Sequence, residues 1–390
     1  MPVRATKRGA ERTPLDGGYD VIICGASFAG LAAARKLAGS DARVLVLDRY
    51  EIGDRQTSAC AAPADVLTHL GLDAAIRQRF SEMVIHTPSK TFRWELPFGF
   101  ATFDYEHVCA LLWAQCGAAT FETAAVTGRS TAADGSITVA TDRGALTAPL
   151  VVDALGWRRV LSTDPQPIQP PGARLSRGLE VHPAGSSPDL EIWVDPACVA
   201  RGYGWAFPAG DEMRIGIGSF DPSDHVKAPT VRLTRRLGLQ PDGYQGNWIP
   251  HALRNATDDG VFFAGDSAGH CLPATAEGIR PALYFGTEAG RELRRVVDGG
   301  QSRAQALSRY ADFHERHRWA WRWLLRVQHA IGALNAYPAL ASAFEAMDRP
   351  DFIRWSFNKY LGICPPQALR DTEHLAAAGA SESAPLANLP

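Results

Sequence analysis

Two glycine-rich loops and one aromatic strand carry the residues whose types and spacing could do chemistry. The first loop, Gly25-Ala-Ser27-Phe-Ala-Gly30, joins an apolar run at 19–24 to a helix-forming stretch. In such a loop the first glycine permits a tight turn, and the last lets helix and strand pack closely. Backbone N–H groups and the helix N-terminus then face a pyrophosphate. Ser27 stands where the dinucleotide fingerprint has its middle glycine; its side chain narrows the approach but offers a hydroxyl donor. Asp48 ends the next apolar run, where a carboxylate accepts from ribose hydroxyls. Arg49 and Arg55 follow it, either as phosphate partners or as solvated surface charges. The plainer alternative for the whole loop is a glycine turn in an ordinary α/β protein.

The second loop runs Gly265-Asp266-Ser-Ala-Gly-His270-Cys271-Leu-Pro273-Ala-Thr-Ala-Glu277-Gly278-Ile279. It follows a buried strand-like run and opens a helix. Asp266 is either a ligand carboxylate or a helix N-cap. Glu277 serves equally as a first-turn acid complementing the helix dipole. The stretch Tyr203-Gly-Trp205-Ala-Phe207-Pro reads as a strand, and alternation puts its three aromatics on one face. That face is a hydrophobic sheet core or the wall of an apolar pocket. Cys60 follows the second strand, as a reactive-site residue or a small buried one. His270 and Cys271 are adjacent, but a metal needs ligands converging from elsewhere, and no metal site is expected.

These residues need elements to hold them. Residues 19–24, the glycine loop, a helix and the run 43–48 make strand, loop, helix, strand within one βαβ unit. Helical patterns follow at 64–70 and 73–80. Residues 83–86 and 91–96 alternate like a small strand pair, and 105–116 has helical spacing. From 119 to 152 the period changes to two, predicting an antiparallel insertion between parallel strands. Four strand-like runs between 179 and 220 suggest a sheet that walls a pocket. Residues 229–238 are helical in pattern, 261–270 return to a buried strand and glycine loop, and helices dominate from 277 to about 360.

The GD-x-A-G of the second loop, its proline and its E-G-I resemble the C-terminal FAD motif of the geranylgeranyl reductase-like flavoproteins, within the p-hydroxybenzoate hydroxylase-type superfamily. Tyr203-Gly-Trp205-Ala-Phe207-Pro208 resembles that family's Y-x-W-x-F-P, with Ala200 where its proline belongs. The resemblance covers about residues 19–300. It implies a fold of class α/β: a Rossmann-like FAD-binding domain, an inserted mixed or antiparallel substrate sheet and a helical C-terminal region. It implies FAD held by Gly25, Ser27, Gly30, Asp48, Arg49, Arg55, Gly265, Asp266, Gly278 and Ile279. Asp266 would meet the ribityl and pyrophosphate end, and the Gly278–Ile279 backbone the pyrimidine edge of the flavin ring. Tyr203, Trp205 and Phe207 would line an isoprenoid channel, with Tyr203, Trp205 and Cys60 as candidate catalytic residues. Ala61-Ala62-Pro63 replaces the family's G-E-G after the cysteine. Leu155, in Val152-Asp153-Ala154-Leu155-Gly156-Trp157, stands where an acidic residue belongs; that turn is implicated in docking a nicotinamide cofactor, and NAD(P)H is carried as a candidate electron donor only. Lys90 lacks the neighbours of a halogenase lysine.

The activity implied is flavin-mediated reduction or dehydrogenation of an apolar, prenyl-like substrate. The alternative is a flavin-dependent monooxygenase of an aromatic or polyketide-like molecule, with a halogenase- or cyclase-like flavoprotein behind it.

Composition agrees with a multi-domain enzyme. The 390 residues are 46% hydrophobic and 21% charged, which excludes a disordered, collagen-like or coiled-coil chain. Forty basic against 42 acidic residues give a net charge of −2, unlike a phosphate-neutralising nucleic-acid binder. Seven scattered cysteines without CxxC point to a reducing cytoplasm. The first twenty residues lack the apolar core of a secretory signal. The expected organisation is a discontinuous FAD-binding domain (19–80, 101–160, 255–300), a substrate domain (81–100, 161–254), C-terminal helices (301–365) and flexible tails (1–18, 366–390). The proline-rich 162–172 reads as a crossing linker. The stretch 316–326 mixes three tryptophans with four arginines; it is a domain-capping helix or a peripheral membrane contact. Oligomeric state is not encoded in any of these features.

Overall fold

The computed structural model describes residues 13–56, 58–163, 175–333 and 337–370. Its centre is a six-stranded sheet in the order β16-β17-β10-β1-β2-β6. β1 is Val21–Cys24, β2 Val44–Asp48, β6 Thr120–Thr123, β10 Leu150–Asp153, β16 Thr257–Asp258 and β17 Val261–Phe263. All pairs are parallel except β16 with β17. The β1 residues Val-Ile-Ile-Cys are fully buried, as β-branched runs covered on both faces must be. α1 (Phe28–Ala34) and α5 (Ile279–Val297) stack on one face through small residues. The loops after β1, β10 and β17 leave the same strand ends, where β1 is flanked by β2 and β10. That is the topological switch point where α/β sheets bind ligands.

An eight-stranded sheet lies in the order β15-β11-β14-β13-β12-β4-β5-β3. β3 is Ala61–Pro63, β4 Ile76–His86, β5 Thr91–Phe103, β11 Leu175–Val181, β12 Glu191–Trp193, β13 Gly202–Ala209, β14 Glu212–Ser219 and β15 Gln245–Pro250. Its pairs are antiparallel except β12 with β4. One face packs on α4 (Lys227–Arg236) around Val181, Ala206, Ile215 and Ile217. A third, antiparallel sheet of β7 (Val126–Thr131), β8 (Ile137–Thr141) and β9 (Gly144–Ala148) is the predicted insertion.

The remaining helices are α2 (Ala64–His69), α3 (Tyr105–Ala114), α6 (Arg303–Glu315), α7 (Arg318–Ala333), α8 (Tyr337–Met347) and α9 (Pro350–Leu361). Asp104 caps α3 by accepting from the His107 N–H at 2.8 Å.

Several expectations are corrected. Residues 76–80 are strand, not helix: Ile76 pairs with Phe103 and Phe80 with Phe100, so cross-strand burial overrides helix propensity. The expected small strand pair is the long β4–β5 hairpin, which carries 76–80 and 101–103 into the second sheet. Residues 13–18 are not a loose arm. Leu15 and Gly18 bridge to Gly144 and Thr147, and Arg143 donates to the Thr13 carbonyl at 3.0 Å. Residues 366–369 form a 3-10 turn that buries Pro366 and Leu369, so the frayed tail cannot begin there. The tails 1–12 and 371–390 and most of the 162–172 linker lie outside the described residues.

Candidate active site

One cavity of about 1380 Å³ opens between the two sheets. It exceeds the roughly 300–1,000 Å³ of an ordinary small-molecule pocket. The first glycine loop, the second glycine loop and the aromatic face of β13 all line it.

At one end stands the β1–α1 loop. Gly25 has φ +114°, and a Cβ there would lie 2.2 Å from the Ala154 carbonyl; a Cβ on Gly30 would lie 1.8 Å from the Gly25 carbonyl. Only glycine allows this turn. Ser27 does not cap α1. Its hydroxyl accepts instead from the Tyr105 hydroxyl at 3.1 Å, which turns it aside from the loop axis. The Asp48 carboxylate is pinned by the Ala26 N–H at 2.8 Å and the Tyr50 N–H at 3.1 Å. Burial raises its pKa above the usual carboxylate value, against those two hydrogen bonds. Arg49 and Arg55 lie over the Tyr50 ring at 4.9 and 5.2 Å, and both line the cavity.

The second loop closes the middle. Gly265 adopts φ +64° at the turn after β17. The Asp266 carboxylate lines the cavity and accepts no hydrogen bond from any described residue. Burial pushes it up to about 6, with Arg254 pulling the other way. Gly278 precedes α5 and Ile279 opens it, both at the cavity wall. Glu277 is taken by Arg280, which grips it with two hydrogen bonds of 2.7 Å and donates to the Cys364 carbonyl at 2.8 Å. Glu277 therefore ties the loop to the C-terminal segment. Asp153 points away from the cavity: it accepts from Ser267, Leu155 and Leu161 at 2.6, 2.9 and 2.8 Å and locks two loops together.

The third wall is the second sheet. Along β13, Tyr203, Trp205 and Phe207 face the cavity while Gly204 and Ala206 are buried behind. All three aromatics line the cavity and not a closed sheet core. Tyr203 donates to the Thr275 carbonyl, joining β13 to the second loop. The Trp205 indole lies over Gly216, where a Cβ would fall 2.1 Å from the ring. Met83, Ile85, Phe98, Phe100, Ile331 and Phe357 extend the apolar lining.

Cys60 is not brought to the site. It is fully buried behind the wall at φ +49°, and burial raises its thiol pKa well above the ordinary value. Ser58, Ala59 and Ala61 line the cavity in its place, and the cysteine at the wall is Cys271. Lys90 pairs with Asp348 at 3.3 Å on the surface. His270 stacks on Phe285 with centroids 3.8 Å apart. No metal-competent cluster of His, Cys, Asp and Glu occurs among the described residues.

The pattern missed Glu180 of β11, which lines the cavity beside Trp205. It accepts from the Trp205 indole at 3.1 Å and from His182 at 2.9 Å. The available signal was an acid flanked by Leu179 and Val181, in a strand otherwise apolar at its centre.

The inward face of α7 caps the second loop: the Trp321 indole donates to the carbonyls of Gly269 and Cys271, both at 3.0 Å. Trp319 and Trp323 stay 67% and 57% exposed. No helix among the described residues is long and apolar enough to cross a membrane.

Fold and site together have the form of a two-sheet flavoprotein oxidoreductase. No family model matches the chain. It is 23% identical to digeranylgeranylglycerophospholipid reductase 2 of Methanopyrus kandleri over 377 residues, covering 86% of this chain and 92% of that protein. A geranylgeranyl bacteriochlorophyll reductase-like protein from Thermoplasma acidophilum superimposes with a TM-score of 0.78 at 17% identity, covering 93% of this chain and all (100%) of that one. A probable FAD-dependent monooxygenase from Pseudomonas aeruginosa follows with a TM-score of 0.64 at 17% identity, over 83% of this chain and 100% of that one. The resemblance to geranylgeranyl reductase-like flavoproteins thus extends from the motifs to the length of the chain and to its fold.

Proposed function

We propose that this chain is an FAD-dependent oxidoreductase that reduces or dehydrogenates a carbon–carbon bond of a prenyl-like substrate. The observation that carries the reading is one continuous cavity with a polar, glycine-lined end and an apolar, aromatic end.

The polar end fits the dinucleotide. Gly25 and Gly30 shape the turn from behind, and Ala26, Ser27 and Ala29 would face its pyrophosphate, with Arg49 and Arg55 as neutralising charges. Asp48 would accept from the adenosine ribose. Asp266, an unpartnered acceptor at the wall, suits ribityl hydroxyls, and the Gly265 turn presents it. Gly278 and Ile279 would offer backbone N–H groups to the ring edge. FAD, when bound, supplies the hydride chemistry that no side chain can. Tyr203, Trp205 and Phe207 bind the apolar chain by burial, worth about 1.5–3 kcal/mol for a large apolar side chain. They also exclude water from the reacting centre.

Reduction is favoured over oxygen transfer because the named whole-chain relative is a reductase. The hydroxylase reading rests on the shared fold alone. NAD(P)H is a candidate donor beside ferredoxin-type proteins. A prenyl chain delivered from a lipid phase would reach the protein along α7, whose Trp319 and Trp323 supply the peripheral membrane contact.

The test is anaerobic turnover. Chemically reduced holoenzyme should consume geranylgeranyl diphosphate without O₂ and lose that ability in W205A while keeping its flavin. Product formed only with O₂, and carrying an added oxygen, would establish the hydroxylase reading instead.

A further inference from the structure

Saturating a carbon–carbon double bond adds a hydride, with both bonding electrons, to one carbon. A proton must reach its neighbour. Neither Tyr203 nor Cys60 suits that task. The Tyr203 hydroxyl is spent on the Thr275 carbonyl, and burial raises its pKa further. The Cys60 side chain does not reach the cavity.

A different set of groups crosses the second sheet. Glu180 lines the cavity from β11, and its side chain is only 5% exposed. One carboxylate oxygen accepts from Trp205 Nε1 at 3.1 Å; the other accepts from His182 Nε2 at 2.9 Å and from Gln245 Nε2. The opposite nitrogen of His182 lies 3.3 Å from Glu212 Oε1. Side-chain exposure rises outward along this line, from 5% at Glu180 to 13% at His182 and 35% at Glu212. Arg214, 4% exposed, holds Glu212 at 2.9 Å and is itself fixed by the carbonyls of Ala59 and Phe103, both at 2.9 Å.

A carboxylate only accepts, so an imidazole with an acid at each nitrogen is completed by protons on both. Such a ring can give its Nε2 proton and keep the one on Nδ1. The groups facing it are Glu180 at the end of β11, Glu212 and Arg214 on β14, and Gln245 on β15, whose amide nitrogen lies 2.7 Å from His182 Nε2; the Asp242 carbonyl takes its backbone N–H. Burial disfavours the charged ring, but hydrogen bonds to Glu180 and Glu212 outweigh it and raise His182 to about 9. Glu212 is lowered to about 2: burial opposes, and bonds from His182 and Arg214 prevail.

We propose that Glu180 exchanges the proton with the substrate carbon, that His182 passes it to Glu180, and that Glu212 holds the charged ring in place. This rests on the prenyl-reductase reading. FAD, when bound, would supply the hydride; the Nε2 proton of His182 passes to the Glu180 carboxylate and from there to the substrate carbon, while Glu212 keeps the Nδ1 proton. Solvent returns one proton to Nε2 for each bond reduced. Glu180 is the catalytic acid, His182 its proton source and Glu212 a positioning residue.

The test compares wild type, E180Q and E180D as FAD holoenzymes. Histidine-labelled NMR follows His182, and single-turnover kinetics use geranylgeranyl diphosphate. In wild type His182 should titrate near 9 and should move toward the ordinary value of about 6.5 in E180Q. The rate constant should fall on the order of 100-fold or more in E180Q, with unchanged substrate Kd, partial rescue in E180D and a loss of rate above the His182 titration. If E180Q keeps the rate and pH profile of wild type, or if His182 titrates normally in wild type, the relay is overturned. If wild type does not act on geranylgeranyl diphosphate while His182 retains an E180Q-sensitive elevated titration, the prenyl reading fails and the proton line stands.

Discussion

The Trp205 indole donates to Glu180 at 3.1 Å across Gly216, the one position between them with no side chain. Glu180 and Trp205 both pair in register with Gly216, on neighbouring strands of one row. A buried carboxylate is thereby held at the cavity wall, and the indole that lines the cavity is oriented by it.

G216A tests that arrangement. Its Cβ would meet the indole at 2.1 Å and the Glu180 Cβ at 2.8 Å. Overpacking of this kind costs about 1–3 kcal/mol. Denaturant unfolding should show that loss, and tryptophan emission should shift as the ring is displaced. Bound FAD should remain, because the cofactor loops are untouched.

On the proposed reading, Asp266 should make flavin affinity pH-dependent. Burial holds its carboxyl at about 6 in the protein without ligand. Its ionised form is the better acceptor for sugar hydroxyls, so FAD binding should weaken as pH falls through about 6. Calorimetric titration from pH 5 to pH 8 should show the slope in wild type. D266N should bind weakly with no such slope, since a buried acceptor is replaced by a partly mismatched amide.

The His182 network should appear in stability. The unfolded histidine titrates near about 6.5, and the folded one at about 9. A raised folded pKa means the contribution is complete below 6.5 and lost as pH climbs through 9. Wild type should therefore lose more Tm across that window than H182Q. Equal losses would remove the charged pair from the account.

Much of this was legible in order of residues, and the limits have physical reasons. The βαβ unit and both glycine loops announce themselves because turn geometry demands particular residues. The β13 aromatics were visible by alternation, but whether they face a core or a chamber depends on the glycines of β14, which sequence spacing does not connect to them. Residues 76–80 have helix-compatible composition and become strand only through pairing with β5. Cys60 sits close to the first motif in the chain, yet its left-handed backbone turns the thiol behind the wall. Glu180 was passed over because two of its partners, Trp205 and Gln245, come from distant strands.

The exposed face of α7 gives a separate expectation. W319S/W323S should bind anionic vesicles at least about tenfold more weakly in sedimentation assays. Burying a large apolar side chain is worth about 1.5–3 kcal/mol, and about 1.4 kcal/mol is a tenfold change. Turnover of a detergent-dispersed substrate should be unaffected, because α7 holds the second loop through Trp321 and Gln328, not through Trp319 or Trp323.

The most direct measurement is a crystal structure of the holoprotein with a prenyl analogue. The account predicts one FAD per chain running from the Gly25–Gly30 loop past Asp266, its ring against Gly278 and Ile279, and the analogue on Tyr203 and Trp205 beside Glu180. Flavin bound elsewhere, or a chamber closed by side chains with the analogue outside it, would contradict it.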